Sequence, residues 1–184
     1  MEWFTQYLSW LQTNPNAILE AAAANNHGVW FDVQIVSIAL FVGKNDVARK
    51  ILEEAKTKRI ATQIEPDGTQ PRELARTRSM HYAGFTLEAY ARLAQLADRI
   101  GIDLWNYQSP DGRSIHKALD WFLSHYLGDQ EWAYKQIDTY KKDAFYPVLL
   151  LASVKYGDEK YVNAGRKYAG DKGKTDKVNL MCGN

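Results

Sequence analysis

The chain has 184 residues and a mass of 21.0 kDa, which suits one domain of the usual ~100–200 residues. With 46% hydrophobic and 24% charged residues and a mean hydropathy of −0.45, the chain is not disordered, and no apolar run approaches the ~18 residues of a membrane span. A net charge of +1, from 23 basic and 22 acidic side chains, lacks the basic excess of a nucleic-acid binder, and one cysteine, Cys182, excludes an internal disulfide or a Cys-rich zinc site.

Met1-Glu2-Trp3-Phe4 has neither the basic nor the apolar region of a signal peptide. From there the chain reads as helix after helix. Phe4, Tyr7, Leu8 and Leu11 recur at helical spacing and predict a first amphipathic helix. Asn14-Pro15 has the form of an N-cap with proline in the first turn, opening a helix through Ile18 and Leu19 into Ala21 to Ala24. After Asn25-Asn26-His27-Gly28, the stretch Val29 to Val42 carries Asp32 as its one charge and predicts a buried helix stopped by Gly43. Asn45 or Asp46 is placed to cap the next helix, with a stripe of Val47, Ile51, Leu52 and Ala55 and a face of Lys and Glu.

Residues 60–72, with Pro66-Asp67-Gly68 and Pro71, read as a break. Helical periodicity returns from Phe85 to Ile100 and closes at Gly101. Ser109-Pro110-Asp111-Gly112 predicts a turn, and Ser114 a cap for a helix carrying Ile115, Leu119, Phe122, Leu123 and Tyr126, ended by Gly128. A polar, aromatic loop with Trp132 and Tyr134 leads to helices over Phe145 to Tyr156 and Tyr161 to Tyr168. The joints Val42-Gly43-Lys44-Asn45-Asp46 and Tyr156-Gly157-Asp158-Glu159 look alike, a weak sign of repetition. The expected fold is all-α, built of antiparallel helical hairpins that fit a solenoid or a closed α/α barrel. Residues 1–169 form one helical domain, and 170–184, rich in Gly, Lys and Asp, a flexible C-terminal tail.

Aromatics make up 12% of the chain, with 6 Trp and 11 Tyr. Their flat apolar faces and polar tips suit a sugar cleft, and equally a helical core with snorkelling tyrosines. No His-Glu-x-x-His, phosphate-binding glycine loop or Gly-x-Ser-x-Gly elbow is present, and the four histidines have no metal-ligand spacing. Two segments carry denser chemistry. Asn25 to Trp30 sets two amides and an imidazole at a helix junction, either as caps or as a site. Arg72 to Tyr82 sets three arginines before His81-Tyr82, either as a solvated basic turn or as a site.

Together these side chains fit β-elimination across a uronate. The C5 proton lies alpha to a carboxylate and is acidic only when that carboxylate is neutralised. Donors from Asn, His and Arg can stabilise the enolate-like dianion. A tyrosine can take the C5 proton, and the same group or a partner protonates the leaving O4. No metal or other cofactor is required.

The string Asn25-Asn26-His27-Gly28-Val29-Trp30 resembles the Asn-Asn-His-x-x-Trp segment of the alginate lyase superfamily. Glu73-Leu74-x-Arg76-Thr77-x-Ser79-x-x-Tyr82 resembles its second block, in the form of oligoalginate and broad polyuronate lyases, at a similar interval. The resemblance spans about residues 3–168. It implies an α/α toroid, here incomplete since family catalytic domains are about twice this length. It also implies a metal-free lyase acting on alginate or a related polyuronate and leaving a 4,5-unsaturated end. By position, Tyr82 resembles the catalytic tyrosine, Asn26 and His27 the carboxylate neutralisers, with His27 alternatively a base, and Arg76 the family arginine. Arg78, Trp30, His81, Trp132 and Tyr134 become substrate-contact candidates, with core or rim packing as the other reading of the aromatics. The implied partner is an acidic polysaccharide, and the implied setting periplasmic or secreted. Half a toroid also invites a homodimer or pairing with an N-terminal half. The alternative is a truncated, non-catalytic polyuronate-binding or helical interaction domain.

Overall fold

Asn14 separates the first two helices of a computed structural model that describes residues 1–177 and Asn179. It ends α1 (Glu2–Thr13), and its Oδ1 accepts the Asn16 N–H at 2.9 Å to start α2 (Pro15–Ala21). Asn25 repeats the device one junction later, accepting from the His27 N–H at the head of α3 (Asn26–Phe41). At Gly43, with φ +75°, the chain reverses into α4 (Asn45–Ala55). Neither Asn45 nor Asp46 caps α4, contrary to the sequence expectation: Lys44 holds the N-cap position without a side-chain bond. The backbone closes this joint itself, since the Lys44 N–H donates to Ala39 O at 2.8 Å.

The expected break begins later than residue 60. After α4 the chain winds through a π-helical turn (Lys56–Ile60) into α5 (Ala61–Gln63) before the loop that leads to α6 (Pro71–Leu74). Helix α7 (Ser79–Asp98) starts six residues before the expected Phe85, so His81 and Tyr82 lie on its first turn. Periodicity hid this start, because the apolar pattern is weak there and long-range bonds hold the turn. Ser79 donates through N–H and Oγ to Lys135 O, and the Met80 N–H donates to Gln136 Oε1.

Helix α8 (Ile115–Leu127) is capped by Ser114, as its sequence predicts. A 3-10 turn (Lys142–Phe145) precedes α9 (Tyr146–Tyr156), which pairs with α10 (Glu159–Ala169) around Gly157 and the capping Asp158. Of the expected tail, Lys172–Thr175 form α11, while 178 and 180–184, including Cys182, lie outside the described residues.

The described residues form an all-α fold with no strand and one isolated bridge, Arg78 to Gln136. Helix α7 is its central rod, packed against α3, α8 and α9. Ala83, Leu87, Tyr90, Leu93, Ala94 and Ala97 are all buried along it. Each fully buried Leu- or Phe-sized side chain in this core contributes roughly 1.5–3 kcal/mol. Helix α1 is covered on one side only. Leu8 and Leu11 are buried, while Trp3, at 64% exposure, stacks on Tyr7, and Tyr7 on the exposed Trp10. No described helix is long and apolar enough to cross a membrane.

Candidate active site

The site begins where α3 begins. The buried Asn26 donates its backbone N–H to Glu73 Oε1 at 2.6 Å and its amide Nδ2 to both Glu73 oxygens at 3.0 Å. Both residues are at most 3% exposed. A carboxylate buried this deeply needs hydrogen-bond partners, and the N-terminus of a helix is a favourable place for its charge. One bonded pair thereby joins the two sequence segments across 47 positions. Glu73 belonged to the second motif, but nothing in the sequence showed what it touches.

The α2–α3 junction is held from behind by Arg59, on the π-helical turn and 1% exposed. Its guanidinium donates to both Asp32 oxygens, at 2.7 and 3.0 Å, and to the carbonyls of Ala23 at 2.8 Å and Ala21 at 2.7 Å. The glycine of the first motif has its reason here. A Cβ on Gly28 would lie 2.1 Å from Ala23 O and 2.3 Å from Arg59 Nη1. Sequence reading missed Arg59, because it follows a Lys- and Glu-rich face and resembles another solvated cation.

His27 is half-exposed, and its Nδ1 lies 2.7 Å from Glu20 Oε1 on α2. On α7, Tyr82 is half-buried and its ring faces Arg76, whose guanidinium carbon lies 3.9 Å from the ring centroid. Among the described residues, no carboxylate pairs with Arg76 and no group hydrogen-bonds the Tyr82 hydroxyl. A run of rings connects the two helices. Trp30 lies 4.9 Å from Phe85, Phe85 stacks 6.0 Å from His81, and His81 meets Tyr82 edge-on at 5.3 Å.

Arg78 is engaged by a carboxylate, with Nε 2.7 Å from Asp138 Oδ2 in an ion pair not aligned for a hydrogen bond. With His81, Asp138 and Tyr140 it lines a cleft of about 260 Å³. Burial, with the Arg78 charge adding to it, holds the His81 imidazole below its ordinary range, so the ring is neutral at neutral pH. Trp132 packs against Trp121, Phe122 and His125, and its indole N–H donates to Ser79 Oγ at 2.9 Å. This geometry fits the packing reading of Trp132, which braces the first turn of α7. Tyr134 sits at the exposed edge of that cluster.

A hollow of about 430 Å³ lies elsewhere, among α1, α2, α3 and α4. Its lining includes Ile18, Phe31, Ile35 and Ile51. Among the described residues no three His, Cys, Asp or Glu side chains gather as a metal site.

The family model described as "Alginate lyase" matches residues 1–132. The crystal structure of an alginate lyase from Bacteroides ovatus superposes on the chain with a TM-score of 0.85 and 40% sequence identity. The match covers 91% of this chain and 45% of that one, so the chain spans less than half the length of that relative. No curated protein matches.

Proposed function

The chain belongs to the alginate lyase family, and from that premise we propose that it is a polysaccharide lyase cleaving alginate or a related polyuronate by β-elimination. The observation that carries this reading is the Arg76–Tyr82 pair: a guanidinium with no carboxylate partner among the described residues, 3.9 Å from the ring of a phenol with no hydrogen bond among them, on a helix whose approach is tied to Asn26 by Glu73. Arg76 holds the uronate carboxylate and favours the charge that develops as C5 loses its proton. Asn26 adds the amide hydrogen that Glu73 leaves over, since the equal 3.0 Å distances let one N–H serve both carboxylate oxygens. His27 stands at the same helix head. The Tyr82 oxygen or the His27 imidazole takes the C5 proton, the electron pair of that C–H bond passes through the enolate into the C4–C5 double bond, the C4–O4 bond breaks, and the Tyr82 hydroxyl gives a proton to O4. This sequence of steps requires no metal.

The test is absorbance of the new C4–C5 double bond when the protein is mixed with alginate or polyglucuronate. Growth in the wild type and its loss in Tyr82→Phe is the expected result, and no growth on any uronate overturns the assignment.

The helical hairpins read as part of an α/α toroid, and the family's periplasmic or secreted setting is the one proposed for this chain. A second reading has its own observation. The exposed rings of Trp3, Phe4, Trp10 and Phe41 are joined by ring contacts along α1, which favours a homodimer or pairing with the rest of a longer toroid. A binding module without turnover would shift its melting temperature with oligouronate and generate no absorbance.

A further inference from the structure

We infer that Glu20 is the positioning residue of His27: it fixes the imidazole with hydrogen on Nδ1 and so presents Nε2 as a bare proton acceptor. The inference rests on the lyase reading of this site and assigns His27 the role of base. A carboxylate only accepts, so at 2.7 Å the Nδ1 of His27 must carry the hydrogen that Glu20 Oε1 receives. In the neutral ring the lone pair is then on Nε2. Free imidazole side chains prefer the opposite tautomer, so the contact imposes a state that the ring does not choose alone.

The pair is half-exposed on both sides, and an exposed pair of this kind adds little to stability. Its geometry is nevertheless built. Glu20 lies in the last turn of α2, directly before the Ala21 and Ala23 carbonyls that the buried Arg59 holds. Arg59 also grips Asp32 on α3, and Gly28 leaves it the room to do so. The His27 N–H is fixed by Asn25 Oδ1, and the preceding residue by Glu73. Both ends of the Glu20–His27 contact are therefore anchored to one buried guanidinium and one buried carboxylate. In the elimination, Nε2 takes the C5 proton, the C–H pair forms the C4–C5 double bond, and O4 leaves with the Tyr82 proton. Exchange with water then returns one proton to Tyr82 and removes one from His27.

The experiment reads the ring directly. Nitrogen-15 correlation spectra of the His27 imidazole, assigned by difference against His27→Gln, are recorded at alkaline pH for wild type, Glu20→Ala and Glu20→Gln. Wild type should show Nδ1 protonated and Nε2 bare. Glu20→Ala should move the ring to the Nε2–H form, while Glu20→Gln, whose amide oxygen still accepts, should retain more of the wild-type state. On polyuronate, Glu20→Ala should lower kcat at least about tenfold, part of the ~10²–10⁴ that a positioned base contributes, with KM within about twofold and an unchanged melting temperature. An Nε2–H ring in wild type, or a ring or kcat indifferent to Glu20→Ala, overturns the inference. Should wild type cleave no uronate, the lyase reading fails, and the ring spectra alone decide the positioning claim.

Discussion

Gly28 and Arg59 occupy one space: a methyl group on the glycine would stand 2.3 Å from the guanidinium Nη1. Because Ala23 O is nearer still, at 2.1 Å, the added carbon cannot be relieved by moving a side chain alone. Gly28→Ala should cost about 3 kcal/mol or more, at the upper end of overpacking. For a chain of this size that lowers Tm by roughly 6–12 °C, measurable by circular dichroism. Arg59→Met should cost about 3–5 kcal/mol, because it leaves Asp32 buried and unpaired. A melting curve unchanged in both variants would show that the junction is not clamped.

Glu73 takes three hydrogen bonds from Asn26, all as acceptor. Glu73→Gln preserves volume but turns one oxygen into a donor facing donors. The expected cost is about 1–3 kcal/mol, together with loss of activity, since the Asn26 amide is placed by this contact and His27 is the next residue on the same helix head. Asn26→Asp, which sets two carboxylates against each other, should do more harm than Asn26→Ala. Thermal melts combined with initial rates separate the two effects, and wild-type rates in Glu73→Gln would remove Glu73 from the site.

Most helix junctions were legible because their signals are local, the head of α4 being an exception. Asn14-Pro15, Ser114 and Asp158 act within two or three residues of themselves. The start of α7 was not, since Ser79 and Met80 are held by residues 56 positions away. The same distinction runs through the site. Asn26, His27, Arg76 and Tyr82 could be singled out as candidates from residue types and from resemblance. Glu20, Arg59 and the partner of Glu73 could not, because a charge in sequence does not say whether it will face water or a buried carbonyl. Nor did the sequence show that the Trp132 indole N–H donates to Ser79 or that Arg78 pairs with Asp138.

Tyr82 and Arg76 should separate activity from stability. The Tyr82 hydroxyl has no hydrogen-bond partner among the described residues, so Tyr82→Phe should leave stability within about 0.5 kcal/mol of wild type. The same change should lower kcat by about 10²–10⁴, the usual contribution of a positioned acid or base. Arg76→Ala should raise KM and lower kcat, because the guanidinium binds the carboxylate in the ground state and binds it more strongly as charge develops in the transition state. Arg78→Ala should be the milder change, its charge being already opposed by Asp138. Equal losses from Arg76 and Arg78 would contradict the assignment of the anion site to Arg76.

Stability should fall on acidification in two stages. Burial holds both His81 and His125 below the ordinary imidazole value of 6.5, with Arg78 adding to the effect at His81. The unfolded chain therefore binds protons at these rings before the folded one does, and stability decreases as pH falls from about 6.5 toward the depressed values. The second stage lies below the ordinary carboxylate value of 3.8. There Asp111 is held low by hydrogen bonds from Ser109 and Arg113, and Asp158 by hydrogen bonds from Lys160, the backbone one largest. Those contributions are present above 3.8 and are lost as the folded carboxylates take up protons. Tm measured against pH should show both slopes. His81→Asn combined with His125→Asn should flatten the first and leave the second, and a first slope that survives the double substitution would place its origin elsewhere.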